Sequence, residues 1–519
     1  MTRSGATGGE SAGSSRAVRV WRRTWPDLAF VAAAVTVGVA RFVILRRGGA
    51  PPTVDGGNWL AFGDSLLGRG VRSPSIVYPP LVPLLTKAFA AVLGITNGVA
   101  AMAAVSSLAP AGGVYATLRL SGLGAASLLP ATLVLSASAV GEATAWGGFP
   151  QLIGLGIAPL LLWQVWRLAA TWSRRSAVLS GVWTMVLLAT SHFIALVVLP
   201  AAVLVVVSAR WLLGPFGVAG RVVGLRLAML VLPSLALIPT YVPLTRGLLG
   251  SANPFHYLSQ LQWSDLPGAV GFLFRDLAPV WWPLTALALA TPFLVRQRRH
   301  PLWLMVTALL GAMVVLLATT REGRYLYLLT VIVGLAAGLW IERAAAWWRE
   351  GRIGGNLIGI GLVAAVAVVV AQATVGLSFF RGQRDYYGLL NPGLVRAIDQ
   401  AAVDAGPEGT IGVTSLRDAP LGWWVEALAH RPTIYAAPLR WLAFDDEIER
   451  ASLADRLFEP PFPTAQAMDE AAAAGIAVIV LPTDWFFYDQ GAVAELAAER
   501  PGSVNEFDAD AALLYPGRS

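Results

Sequence analysis

Cysteine is absent from the 519 residues, lysine occurs once, at Lys87, and charged residues make up only 13% of the chain. The first absence excludes disulfides and thiolate-bound metals. The shortage of charge excludes an ordinary soluble globular chain, in which about 25% of residues are charged. There is no internal repeat of the kind that builds two-fold transporters. No signal-peptide cleavage pattern precedes the first apolar run, so that run is expected to be retained as an anchor. Apolar residues fill the space instead: 56% are hydrophobic, and the mean hydropathy is +0.62.

Apolar stretches of about 17–25 residues cross a bilayer core as helices. About eleven are present, near 26–45, 96–118, 124–140, 150–168, 177–191, 193–209, 226–245, 277–294, 302–319, 325–341 and 354–378. The fold class expected is therefore a polytopic α-helical membrane protein. The pair meeting at "TSHF" (190–193) reads equally as one long broken helix.

Arginine sets the orientation. With the N-terminus cytoplasmic, the inside segments hold Arg16, Arg19, Arg22, Arg23, Arg119, Arg174, Arg175, Arg210, Arg221, "RQRRH" (296–300), Arg343, Arg349 and Arg352. This matches the positive-inside rule, with exceptions such as Arg46, Arg47, Arg69 and Arg72 on the other face. The expected location is the plasma membrane, with residues 1–24 a disordered cytoplasmic tail, 25–380 the transmembrane domain and 381–519 outside. The net charge of +7 needs no nucleic acid, because cytoplasmic arginines facing anionic lipid suffice.

From about residue 381 the pattern changes to short strands alternating with amphipathic helices. "TIGVT" (410–414), "IAVIVLP" (476–482) and "AALLY" (511–515) read as strands, and "FDDEIERASLADRLF" and "TAQAMDEAAAAG" as helices. The segment is expected to be an exported α/β domain. Its clusters "GWW" (422–424) and "DWFFY" (484–488) have two readings: packing against the membrane domain or interface, or stacking on sugars.

On this topology four polar groups fall at the outer ends of spans: residues 55–64, "GEATAWGGFPQ" (141–151), "TSHF" and "TREGRYLY" (320–327). Each alone reads as a helix cap or a solvated turn. Together they place acids, arginines, a histidine and aromatics at one membrane face, where polar groups need a partner or a purpose.

A first span, then an acidic loop, then "YPPLVPLL" (78–85), and a late "REGRYLYLL" (321–329), resemble the GT-C class of membrane glycosyltransferases. "WGGFPQLIGLG", "TSHF" and "GWWVEALAHRPTIYAAPLRWL" also resemble poorly characterised prokaryotic membrane proteins, some labelled as pyruvoyl-tetrahydropterin synthase-related membrane domains. The GT-C resemblance implies transfer of a sugar from a polyprenyl-phosphate donor to a cell-envelope glycan or glycolipid on the outer face, with inversion, and a catalytic external loop over 46–95. It implies that an acid of that loop is the general base. Asp55, first after the span and in a Gly-rich turn, leads; Asp64, nine residues on, competes.

Arg324, with Arg321 beside it, is the expected phosphate partner, because a guanidinium donates paired hydrogen bonds and stays charged; pairing with Glu322 is the competing reading. Glu142, His192, Trp59, Tyr78, Trp146 and Gln151 complete the expected substrate-binding set. No nucleotide is expected. Two single acids nine apart, rather than an adjacent acidic pair, lend a divalent metal no support, and no metal ligand is assigned. A transporter or flippase of lipid-linked glycans and a non-enzymatic scaffold are the alternatives.

Overall fold

The computed structural model describes residues 10–72, 76–213, 220–249, 262–273, 278–295, 300–352, 354–438, 441–507 and 509–518. Among these, eight helical runs are long and apolar enough to cross a membrane. The pair Gly124–Leu135 and Ser138–Trp146, bent by 49°, makes a ninth if it is one broken span. Two of the eleven expected spans fall on shorter helices, Arg174–Thr190 and Trp281–Leu294. The chain does break at "TSHF". One helix ends at Thr190, Ser191 is extended, and its hydroxyl accepts from Ile194 N at 3.2 Å at the head of His192–Leu213.

The first helix runs Glu10–Arg46, so it extends back into the segment expected to be a disordered tail. Once a turn is nucleated by a stable span, each added residue gains a hydrogen bond for little further ordering. Residues 1–9, and 296–299 of "RQRRH", lie outside the described residues.

Lipid-facing surfaces are legible as exposed stripes. Leu28, Val31, Val35, Val39 and Val43 recur every three or four residues along the first helix and are all more than half exposed. Leu357, Ile360, Val363, Val366 and Val370 do the same on Gly355–Tyr387. Such outward apolar faces suit hydrocarbon and would be costly in water. Inside, small residues let backbones approach. Gly113 of Ala109–Leu120 lies against Gly156 of Phe149–Thr171, where a Cβ would collide with the Gly156 carbonyl. The 33-residue helix Gly355–Tyr387 is about 50 Å long, against a hydrocarbon core of about 30 Å, so it can carry its last turn beyond the membrane.

The C-terminal segment is a small α/β unit with five strands, β1 Thr410–Val413, β2 Thr433–Tyr435, β3 Ile476–Pro482, β4 Val504–Phe507 and β5 Ala511–Leu514, in the order β2-β1-β3-β5-β4. β1 is parallel to β2 and β3, while β5 is antiparallel to β3 and β4. The three strands expected from sequence are the three most apolar. Of the two others, β2 is only three residues long, and β4, "VNEF", has polar, exposed residues at its centre, so neither reads as an apolar run. The helices expected there are Asp445–Leu457 and Ala465–Ala473, the second capped by Thr464.

A buried charge network ties this unit to the loop that follows the first span. Arg72 Nε donates to Glu426 Oε2 at 2.8 Å, and Arg72 Nη1 donates to Asn58 Oδ1 at 2.6 Å. Arg450 Nη1 donates to Glu426 Oε1 at 2.7 Å. The Arg72 and Glu426 side chains are wholly inaccessible to solvent. Removing one member of such a pair strands a buried charge, at a cost of about 3–5 kcal/mol. Glu426→Ala is therefore expected to lower the melting temperature of the purified protein by roughly 3–5 °C. A melting temperature within a degree or two of wild type would contradict the network's role.

Candidate functional site

The helix Gly56–Leu66 presents Asp55 at its N-terminus. Thr53, at φ 74°, turns back so that its hydroxyl accepts from Gly56 N at 3.1 Å. Asp55 N donates to the Trp146 carbonyl at 2.9 Å, which fixes the Asp55 main chain against the end of Ser138–Trp146. Gly147, in the left-handed region at φ 102°, sits under it; a Cβ there would lie 2.8 Å from Asp55 Cβ. The glycines after Asp55 admit the C-terminal unit: a Cβ on Gly56 would meet Trp424 and one on Gly57 the Trp423 main chain, each at 2.8 Å. Trp424 Nε1 donates to the Thr53 carbonyl at 3.0 Å. For Trp424, packing is thus the reading that "GWW" takes.

Asp55 lines a cavity of about 440 Å³ between the helix ends and the terminal α/β unit. Eight of the ten expected site residues line it: Asp55, Trp59, Tyr78, Glu142, Trp146, Gln151, His192 and Arg324. Trp59 packs against Tyr78 with ring centroids 4.8 Å apart, and Tyr78 meets His192 edge-on at 5.3 Å. The Trp59 indole N–H is spent on the Gly147 carbonyl at 2.7 Å, so only its ring faces the cavity. Glu142 accepts from the Tyr327 hydroxyl at 2.5 Å and the Tyr387 hydroxyl at 3.1 Å. Trp146 Nε1 in turn donates to the Tyr327 hydroxyl at 3.4 Å.

Arg324 is held from one side. Its Nε and Nη2 donate to Glu322 at 3.0 and 3.1 Å, and its guanidinium lies 4.6 Å from the Phe193 ring centroid. The pairing with Glu322 and a place in the cavity wall therefore coexist. Burial pushes the Asp55 carboxyl well above the ordinary carboxylate range, and the Arg324 charge pulls it part of the way back. Burial likewise pushes the Tyr78 phenol up.

Asp64 and Arg321 do not line the cavity. Asp64, on the same helix as the turn that carries Asp55, pairs with Lys87 of Leu81–Leu93 at 2.7 Å, and its second oxygen lies 3.7 Å from His430 Nδ1. Arg321 is exposed and caps Pro301–Thr320 at φ 55°. Sequence reasoning passed over Tyr327, Tyr387, Trp441 and Glu447, all of which line the cavity, as does Trp423 of the "GWW" cluster. Tyr327 lies inside the quoted "REGRYLYLL", and Tyr387 closes the helix Gly355–Tyr387; Trp441 and Glu447 carry no local signal. Among the described residues no group of three or more His, Asp or Glu is placed to hold a metal ion.

No family model matches the chain, and no curated protein matches it in sequence. The helices, the loop helix and the terminal α/β unit define a GT-C-type membrane fold, shared with solved glycosyltransferase structures. ArnT from Cupriavidus metallidurans bound to undecaprenyl phosphate is similar over 95% of this chain and 98% of its own, at TM-score 0.59 and 15% identity. The archaeal oligosaccharyltransferase AglB from Archaeoglobus fulgidus, in complex with an inhibitory peptide and a dolichol-phosphate, is similar over 89% of this chain and 70% of its own, at TM-score 0.52 and 14% identity. At these identities it is the fold that is shared.

The two loop acids separate by stability. Asp55 Oδ1 is buried without a hydrogen-bond partner, whereas Asp64 has an ion pair. The raised Asp55 value means that the folded protein holds its proton more tightly than the unfolded chain. Its contribution is therefore lost as pH rises from about 3.9 through the raised value. Near neutral pH, Asp55→Asn is expected to keep or raise the melting temperature, while Asp64→Asn lowers it by severing a partly exposed pair worth about 1–3 kcal/mol. Thermal unfolding of both variants checks this; equal destabilisation would contradict it.

Proposed function

We propose that the protein is a membrane glycosyltransferase that moves a sugar from a polyprenyl-phosphate donor to a cell-envelope glycan or glycolipid acceptor. Transfer takes place at the outer face of the plasma membrane, with the N-terminus cytoplasmic and the terminal unit outside, as the arginine distribution supports. One observation carries the reading: Asp55, with an unpartnered buried oxygen, and the Arg324 guanidinium face a single cavity. The shared fold with a protein solved bound to undecaprenyl phosphate adds support.

The cavity also takes Leu244 and Leu248 from Ile238–Leu249, a helix whose Ile238, Val242 and Leu249 are exposed as on a lipid-facing surface. A carrier lipid held in the bilayer can thereby bring its phosphate to Arg324 without crossing water. Arg324 and His192 hold the phosphate; Trp59, Tyr78 and Trp146 offer ring faces to the sugar. Asp55 takes the proton of an acceptor hydroxyl as that oxygen attacks the anomeric carbon. The bond from this carbon to the phosphate oxygen breaks, the leaving phosphate gains negative charge opposite Arg324, and one displacement inverts the centre. Asp64 and Arg321 fall outside this scheme, and Glu142, with Gln151, shapes the wall rather than taking the proton.

A base whose value is raised by burial binds a proton more strongly, which favours transfer. The ionised form is the active one, so activity falls as pH drops through the raised value. The acid limb of kcat/KM is expected above the roughly 3.9 of an unperturbed aspartate. Asp55→Asn is expected to lower transfer from a polyprenyl-phosphate-sugar donor by about 10²–10⁴-fold. Wild-type rates in that variant would remove Asp55 as the base. Wild-type protein that transfers nothing across a panel of donors, yet moves lipid-linked sugars between leaflets, would replace the enzyme with a flippase.

A further inference from the structure

Part of the cavity wall comes from the terminal α/β unit, and its chemistry differs from that of the membrane wall. Trp423 and Trp441 meet at a right-angled corner, with ring centroids 6.3 Å apart and planes at 84°. Both line the cavity. Trp423 is 3% exposed, and its Nε1 is buried without a hydrogen-bond partner. Glu447, also 3% exposed, faces the same space. Its two oxygens accept only long bonds, from the Tyr435 hydroxyl at 3.4 Å and from Ala443 N at 3.3 Å. A carboxylate has about four acceptor positions, so capacity is left over.

The corner is held rigidly. Arg417 and Asp418 are consecutive residues at φ 50° and 59°, in a tight turn closed by paired hydrogen bonds between Leu416 and Ala419. The Asp418 carbonyl accepts from Trp441 Nε1 at 3.0 Å, which fixes that ring. Non-glycine residues at positive φ cost energy and persist where their surroundings over-determine them, often at ligand sites. Arg417 is committed to the Asp385 carbonyl at 2.8 Å and Asp484 at 2.6 Å.

Four buried side-chain atoms without partners thus belong to residues of this one cavity: Asp55 Oδ1, Gln151 Oε1 and His192 Nδ1 from the membrane domain, and Trp423 Nε1 from the exported unit. Buried polar atoms are nearly always paired, so such a gathering marks a place for a polar ligand. We propose that Trp423, Trp441 and Glu447 form the acceptor subsite, and that it takes an uncharged, polyhydroxylated carbohydrate. The ring faces suit the C–H faces of a sugar, the indole N–H and the Glu447 oxygens suit its hydroxyls, and an anionic acceptor would find the Arg417 guanidinium of this wall already committed. Burial pushes the Glu447 carboxyl up, which favours its neutral form and makes an ammonium group a poor match as well. The subsite rests on the transferase reading, in which the Arg324 pole is occupied by the donor phosphate.

The test uses the full-length protein in lipid nanodiscs, with saturation-transfer NMR on neutral arabino-, manno- and gluco-trisaccharides and, separately, retention of radiolabelled undecaprenyl phosphate. The wild type is expected to contact at least one trisaccharide. That contact falls at least about fivefold, the equivalent of one lost hydrogen bond, in both Trp423→Phe and Glu447→Gln, while retention of the lipid phosphate is unchanged. Trp441→Phe, at a half-buried position, replaces either variant if it loses the lipid phosphate. Undiminished contact in the variants overturns the subsite. Lipid phosphate retained by a wild type that contacts none of the trisaccharides, or contacts only a glucosamine oligomer added as control, also overturns it and leaves the transferase reading standing. Retention of neither ligand defeats both.

Discussion

Asp55 is pinned between two surfaces that are far apart in sequence. Its amide is tied to the carbonyl of Trp146, and the two glycines after it lie against Trp423 and Trp424. Neither glycine tolerates a Cβ without displacing one of those surfaces, so the close approach of the C-terminal unit requires glycine at both positions. The Arg72 bridge from Asn58 to Glu426 holds the loop helix to that unit with buried charge. A buried ion pair of this kind is weak as a source of net stability and strong as a constraint, because every alternative arrangement leaves a charge unpaired.

The cavity follows from that constraint. Helix ends near Trp146, Thr190, Arg324 and Tyr387, with the loop after the first span, contribute polar residues to one space that the terminal α/β unit also lines. The two walls differ in chemistry. The membrane wall carries the Arg324 guanidinium, the imidazole and the buried Asp55 carboxyl, whereas the wall from the α/β unit carries two indoles and Glu447. Glu142, which accepts from two tyrosines, is the most satisfied acid in the cavity and Asp55 the least; a base needs an oxygen that the protein has not already occupied.

Much of the fold could be read from the sequence because lipid imposes a length and a polarity that leave a strong local signal. Span positions, the break at "TSHF" and the three apolar strands follow from it. The two shorter apolar helices registered as well, whereas β2, of three residues, and β4, whose central residues are polar and exposed, did not. The gathering of "GEATAWGGFPQ", "TSHF" and "TREGRYLY" at one place was legible because all lie at the ends of spans that face the same way. Distinguishing Asp55 from Asp64 was not, since Lys87 and His430 reach Asp64 only through the fold. The purpose of Gly56 and Gly57 was hidden for the same reason: their neighbours are more than 360 residues away. Trp423, Trp441 and Glu447 reach the cavity only through the placement of the terminal α/β unit against the helices.

The central claim is that one cavity holds a lipid-linked phosphate at Arg324 and a sugar beside Asp55. A structure of the protein in a lipid nanodisc with undecaprenyl phosphate tests it most directly. The account predicts phosphate density against the Arg324 guanidinium and His192, with the polyprenyl chain leaving past Leu244 and Leu248 and Asp55 facing the space beyond the phosphate. Phosphate density at any other place, with this cavity empty, would contradict it.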